Sequence, residues 1–479
     1  MSAYDDYQTV SQRWVREIPN HWDCFRIKRI FAKRNETNNP IITDCILSLT
    51  AKQGVVPYAD KEGAGGNKPK SDLTKYCIAR PDDLLVNCMN VVSGSAGVSR
   101  YFGAISPVYY ALYPRFSCNV WYFHYIFRLM SFQRSLLGLG KGILMHESDS
   151  GKLNTVRMRI SMDYLGGVKL PVPPRAEQDQ IVRYLDWQVS KINKLIAAKK
   201  KQIALLKERE QQIVAYTVTH GINKSVETRD SGVDWIGEIP AHWEKIKIRR
   251  FCTLQNGISE SGEFFTKGTP FVSYGDVYKH IILPEKVSGV ANSTIEQQET
   301  FSVKKGDMFF TRTSETIDEI GMPTVCLTTI DNAVFSGFLI RVRPYKSFLS
   351  PHYLKHYLRY SGIQRYFART MNIVIRASLG QNLLKELTVL VPPAEEQVLI
   401  AKFLDEVHER FDTIRQRIHK EIDTLHELRT RIISDVVTGQ IDVRNIEVPD
   451  FEMVEEVDTD ESVDEDEVLE EPEEQEEEA

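Results

Sequence analysis

The chain has 479 residues, enough for about three domains of ordinary size, and its composition (42% hydrophobic, 26% charged) is that of a globular protein. No apolar run approaches the ~18 to 20 residues of a membrane helix, the N-terminus MSAYDDYQ lacks the basic and apolar regions of a leader, and the seven scattered cysteines form no C-x-x-C pair. These features argue against a membrane span, secretion, a disulfide framework and a zinc ribbon, and place the protein in the cytoplasm. The formal charge of −6 hides an uneven division: residues 445–479 hold 19 acidic and no basic side chains, which leaves 60 basic against 47 acidic, or +13, in residues 1–444. A basic body reads as a binder of polyanions, and an acidic run with few aromatics reads as a disordered tail.

In chain order, residues 1–29 form a flank carrying W-x-x-E-I-P-x-H-W between Trp14 and Trp22. Residues 30–170 have the dimensions of a domain, with strands expected at Asp83 to Val86 and Pro107 to Tyr113 and a helix at Tyr122 to Met130. The pair Pro173-Pro174 then opens a long helix within 171–221, because proline at the first helical position loses no hydrogen bond and Glu177 complements the macrodipole. Residues 222–251 repeat the tryptophan motif at Trp235 to Trp243. Residues 252–390 form a second, divergent domain with strands at Asp307 to Phe310 and Gly337 to Val342 and a helix at Tyr353 to Tyr360. Pro392-Pro393 open a second long helix within 391–444, and residues 445–479 are the tail. The nonapeptides at Trp14 and Trp235 agree at six of nine positions, so one unit is used twice.

A seven-residue register on the second helix places Leu404, Phe411, Ile418, Leu425 and Ile432 on one row and Val407, Ile414 and Leu428 on another, the pattern of a coiled-coil seam. The first helix gives Leu185, Ile192, Leu206 and Ile213, with Leu195 on the second row and a break at Lys199. Gly221 and Gly439 terminate the two helices. Trp14, Trp22, Trp235 and Trp243 serve either as core anchors or as a repeated docking surface for a partner.

No phosphate-binding loop, dinucleotide fingerprint, nucleophile elbow or H-E-x-x-H occurs, so no catalytic site is expected. His352 and His356 lie one helical turn apart without an acidic partner between them, and no metal site is expected. Candidates for DNA contact fall on the unequal loops: Asn87, Asn90 and Arg100 in the first domain, and Tyr274, Tyr278, Lys279 and Arg312 in the second, with Thr50, Lys52 and Gln53 as a further set. Lys68 and Lys70 sit in the basic run GAGGNKPK, which is either a phosphate-approaching loop or an ordinary surface loop. Arg157 and Arg376 each stand sixteen residues before a proline pair. They read as backbone contacts, as structural pairs, or as forks for guanine.

The doubled W-x-x-E-I-P-x-H-W, the PP-x-x-E-Q helix openings and the helix ends at Thr219 and Val437-Thr438-Gly439 resemble the specificity subunit of a type I restriction-modification enzyme over about residues 10–444. The resemblance implies a mixed α/β fold in which two target-recognition domains, each reading half of a bipartite asymmetric site in double-stranded DNA, are separated by two long antiparallel coiled-coil helices in a pseudo-two-fold repeat. It implies two methylation subunits as partners, with two restriction subunits in the full complex. S-adenosylmethionine, ATP and Mg2+ would be used by those partners and by no group of this chain. The alternative on the residues alone is a standalone bivalent DNA-binding or coiled-coil scaffold protein.

Overall fold

The computed structural model describes the chain apart from residues 1–2, 11, 51–53, 62–68, 70, 143–145, 148–152, 155–157, 261, 315–319, 371–376 and 455–479. The chain divides into two compact units, residues 1–200 with 420–479 and residues 201–419. Each unit takes part of both long helices, α1 (Arg175–His220, 46 residues) and α2 (Ala394–Val437, 44 residues). Among the described residues, no helix is long and apolar enough to cross a membrane.

In the first unit a four-stranded antiparallel sheet is ordered Phe31–Lys33, Tyr109–Pro114, Leu84–Asn87, Ala96–Val98. Of its two central strands, Leu84–Asn87 is buried from Leu84 to Val86 and Tyr109–Pro114 from Tyr110 to Leu112, so both faces are covered there. The helix Val120–Phe127 packs beside it, burying Tyr122, Phe123, Ile126 and Phe127. A hairpin of Leu47–Thr50 and Gly54–Pro57 closes over Gly97, where an added Cβ would stand 3.0 Å from Leu49 Cδ1.

The second unit repeats the strand order with Cys252–Asn256, Leu339–Pro344, Met308–Thr311 and Pro323–Val325. The helix Pro351–Tyr357 stands where Val120–Phe127 stands in the first unit and buries Tyr353, Leu354 and Tyr357. This unit adds a three-stranded sheet of Gly289–Ala291, Thr269–Val272 and Val334–Phe335. Two short strand pairs also recur. Tyr7–Thr9 with Glu17–Pro19 matches Thr228–Asp230 with Glu238–Pro240, and Asp23–Arg26 with Lys169–Val172 matches Glu244–Lys247 with Thr388–Val391. The repeat seen in two short motifs is therefore a repeat of topology.

Both long helices begin directly after the second proline of the pair. Gly221 and Gly439 follow the last helical turns at φ of +77° and +75°, a left-handed conformation that glycine adopts without a Cβ penalty. Within each unit the two helices run antiparallel. Asn193 accepts from Arg429 and Lys199 pairs with Glu421 in the first, while Glu210 meets both His408 and Arg415 in the second.

The heptad register is met on one row and missed on the other. Leu185, Ile192, Leu404 and Ile418 are buried, and Leu206, Ile213, Phe411, Leu425 and Ile432 are half-buried. Leu185 and Leu404 pack into the cores of their units. The second row is corrected: Val407 is half-buried, but Leu195, Ile414 and Leu428 are exposed, while Ile196 and Ile422 are buried. A straight helix of 3.6 residues per turn drifts away from a strict seven-residue repeat, which carries neighbouring positions inward.

The start of the acidic tail is corrected as well. Residues 445–454 are packed on the first unit: Val448 is buried, Ile446 and Phe451 join the core, and Gln180, Arg183 and Asn193 of α1 hydrogen-bond the carbonyls of Ile446, Val448 and Val454. Apolar residues interspersed through a stretch counted only for its charge supply that packing. The rest of the expected tail, residues 455–479, lies outside the described residues.

Candidate nucleic-acid interface

Each repeated motif is tied to the first turn of a long helix by one glutamate. In the first unit Trp22 Nε1 donates to Glu177 Oε1 at 3.0 Å, His21 Nε2 lies 2.8 Å from Glu177 Oε2, and Tyr4 adds an O–H donated to Oε1 at 2.5 Å. In the second, Trp243 Nε1 donates to Glu396 Oε2 at 2.9 Å and His242 Nε2 lies 2.6 Å from Oε1. The adjacent glutamine ties the helix to the domain. Gln178 Oε1 accepts from the backbone N–H of Asn119 and its Nε2 donates to Pro173 O, while Gln397 accepts from Ser350 and donates to Phe348 and Pro392. The H-W and E-Q pairs thus form one structural joint, made twice.

Trp22 and Trp243 are 1% and 0% exposed, which leaves no surface on them for a partner. Trp14 packs edge-on against Phe132, and Trp235 lies against Tyr360 and Tyr366, so both are domain contacts.

A second joint lies on the following turns of each helix. Asp186 of α1 accepts from Tyr125 O–H at 2.6 Å, and burial raises its carboxyl above the ordinary range. Asp405 of α2 takes Lys355 Nζ at 2.6 Å and His356 Nε2 at 2.9 Å on one oxygen. Burial opposes its charge, but the Lys355 ammonium prevails and holds the carboxyl below its usual value. His356 is therefore committed to Asp405, and burial pushes the imidazole down to about 4. Among the described residues no group of three metal-ligating side chains occurs.

A third feature went unseen in the sequence. Asp83 and Asp307, each one residue before a central strand, hold arginines from different places: Arg34, just after the edge strand Phe31–Lys33, bonds both oxygens of Asp83 at 2.8 Å, and Arg343, on the adjacent strand Leu339–Pro344, bonds both oxygens of Asp307 at 2.6 Å. These two arginines are internal cations, spent on the domain and withheld from a polyanion. Only the recurrence of an isolated acid just before a central strand in each copy could have signalled this.

The candidate DNA contacts separate into groups. Asn87 and Asn90 share one turn in which Asn87 Oδ1 accepts from Met89 N–H at 3.0 Å, so part of the Asn87 amide is engaged locally. Arg100 lies beyond the opposite end of the antiparallel pair Leu84–Asn87 and Ala96–Val98, with its guanidinium 5.3 Å from the Trp121 ring centroid and its charge acting on Asp186. The structure therefore sets Arg100 apart from the two asparagines. Thr50 closes the hairpin over Gly97, with Oγ1 donating to Gly54 O at 3.3 Å.

In the second unit Tyr274, Tyr278 and Lys279 share the helix Tyr274–Lys279. The two rings stack at 6.0 Å, Lys279 is exposed, and Ser273 and Asp276 form a capping box at the helix start. Arg312 leaves the strand Met308–Thr311 and points Nη1 to Gly337 O at 3.5 Å. Lys52, Gln53, Lys68, Lys70, Arg157 and Arg376 lie outside the described residues. Asn87, Asn90, Tyr274 and Tyr278 are half-buried, whereas Lys279 stands exposed beside the two rings.

Residues 240–424 match the family model described as the type I restriction modification DNA specificity domain. The chain is 25% identical over 293 residues to the type I restriction enzyme MjaVIII specificity subunit of Methanocaldococcus jannaschii, covering 58% of this chain and 63% of that protein. It is 23% identical over 285 residues to the type I restriction enzyme EcoKI specificity subunit of Escherichia coli K12, covering 57% and 58%. The alignments thus span less than two thirds of these relatives. A chain solved in work on complex assembly and conformational transition of the type I R-M system shares the fold, with a TM-score of 0.63 at 15% identity over 88% of this chain and 99% of that one. In sequence and in fold the chain resembles type I specificity subunits.

Proposed function

We propose that this chain is the non-catalytic DNA-specificity subunit of a type I restriction-modification complex. One observation carries the reading. The same strand order and the same Trp-His-Glu joint occur twice, while the loops and added sheet borne on that frame differ between the copies. A repeated frame with unequal loops suits a target whose two halves have the same backbone and different bases, as in a bipartite site on duplex DNA. The matched specificity domain supports this for the second copy, and the shared topology extends it to the first.

In this reading the first unit reads one half-site with Thr50, Asn87 and Asn90, and the second reads the other with Tyr274, Tyr278, Lys279 and Arg312. Two methylation subunits, and two restriction subunits in the full complex, assemble on the repeated frame in the cytoplasm. S-adenosylmethionine, ATP and Mg2+ serve those partners.

The test is co-expression with a type I methylation subunit, followed by modification-sensitive sequencing of the host genome. A single interrupted motif, methylated only when both proteins are present, is the expected result. Methylation that persists without this chain, or no complex between the two proteins, would refute the reading.

A further inference from the structure

The segment that follows α2 does more than fill the core of the first unit. It runs along α1 in the direction of that helix: Gln180 Nε2 donates to Val443 O at 3.0 Å and to Ile446 O at 2.6 Å, and Arg183 Nη2 donates to Val448 O at 2.9 Å. Asn193 Nδ2 donates to Val454 O at 2.9 Å, while Val454 N–H donates to Ser190 Oγ at 3.2 Å. The strap is fastened at both ends, and its last described residue is pinned to the middle of α1.

Beyond that pin lie residues 455–479, 25 residues with 16 acidic and no basic side chains. Beside it lies the most basic stretch of the helix. From Trp187 to Lys207, α1 carries Lys191, Lys194, Lys199, Lys200, Lys201 and Lys207 and no acid. Lys199 is paired with Glu421 of α2 at 2.6 Å. Lys191 and Lys194 are exposed, within one turn of the Ser190 and Asn193 anchors, and Lys191 Nζ stands 4.5 Å from the Trp187 ring centroid.

We propose that the acidic segment 455–479 docks on the lysine face of α1 at Lys191 and Lys194, as an intramolecular polyanion that competes with duplex phosphate for that face. The strap supplies the proximity. A chain of 25 residues reaches as far as ~80 Å when extended, whereas Ser190 to Lys200 is only ~15 Å of helix, so tethering holds the acidic groups at an effective concentration on the order of millimolar. The strap's heading carries the segment toward the lysines, and its charge matches theirs. Duplex held by phosphate contacts alone loses this competition more readily than duplex that also makes base contacts, so the segment selects against non-specific binding. The docking stands on the strap and the lysines, and its competition with DNA rests on the proposed function.

The experiment uses the full-length chain. Zero-length carbodiimide coupling at low salt, mapped by mass spectrometry, should join glutamates of 455–479 chiefly to Lys191 and Lys194, and the products should fade at high salt as charges are screened. Random-sequence duplex should bind about threefold more tightly at low salt to a chain ending at Val454, which keeps the strap intact, and the gain should vanish at high salt. K191Q/K194Q should abolish that gain. Cross-links spread evenly over lysines elsewhere, or a truncated chain whose random-duplex affinity equals that of the full chain, would overturn the proposal. Absence of all duplex binding with cross-links still at Lys191 and Lys194 would overturn the competition and the DNA reading while leaving the docking in place.

Discussion

The two Trp-His-Glu joints are built from the same residues and differ in what covers them. Around Glu177 the N-terminal Tyr4 donates a third hydrogen bond, Arg444 lies 4.9 Å from the Tyr4 ring centroid, and the glutamate side chain is 5% exposed. Among the described residues no tyrosine or arginine takes that place around Glu396, and its side chain is 37% exposed. Burial next to Glu177 pushes the Tyr4 phenol well up, which keeps it a donor at any physiological pH. One motif can therefore sit in a sealed or a wet setting, and the setting decides what the motif contributes to stability.

The largest expected difference follows from that contrast. Glu177→Ala strands the Trp22 indole N–H and the Tyr4 hydroxyl in a site closed to water and should cost about 3 kcal/mol or more, because each orphaned buried donor costs about 1 to 3 kcal/mol. Glu396→Ala leaves a site that water can enter and should cost about 1 kcal/mol. Urea unfolding of the two variants measures this. Equal losses would show that the cover over Glu177 contributes nothing.

A smaller difference is expected in acid. His356 is held down to about 4 by burial, and His124 in the first unit down to about 3 by burial with Arg128 nearby. Both are neutral in the folded chain and protonate near 6.5 when unfolded, so their stabilising contribution is complete above that pH and is lost as pH falls toward about 4 for His356 and about 3 for His124. At the place of His356 the first unit has Tyr125, which does not titrate in this range. His356→Tyr should therefore flatten the acid loss in the second unit, raising its protection at pH 5 relative to pH 7 by the equivalent of roughly 5 °C in melting temperature, with no change in the first. Peptide-resolved hydrogen exchange reads each unit separately. An unchanged pH profile in peptides of the second unit would remove His356 as the cause.

The frame was more legible in the sequence than the surface. Tryptophan, proline and glutamine at repeated spacing mark the joints because each has a restricted use: indole N–H needs a buried acceptor, and proline cannot continue a strand ladder. Strand positions around Asp83 and Asp307 were readable to within a residue or two from their apolar runs. The second row of the helix register was not, since exposure at Leu195, Ile414 and Leu428 depends on small rotations that a seven-residue count ignores. The strap was hidden for another reason. Charge counting over 445–479 averaged Ile446, Val448 and Phe451 into an acidic composition, although their burial is what orders residues 445–454. The paired Arg34 and Arg343 show why basic residues alone could not locate a DNA surface: a salt bridge within the domain and a phosphate contact draw on the same side chain.

Whether each copy of the frame reads its own half of one DNA site is tested by exchanging residues 30–170 for the equivalent segment of a related chain. The modified motif is then sequenced from cells expressing the hybrid with its methylation subunit. One half of the motif should change, and the other half, assigned to the second copy, should be retained. A hybrid that methylates the original motif, or one in which both halves change together, would contradict that assignment.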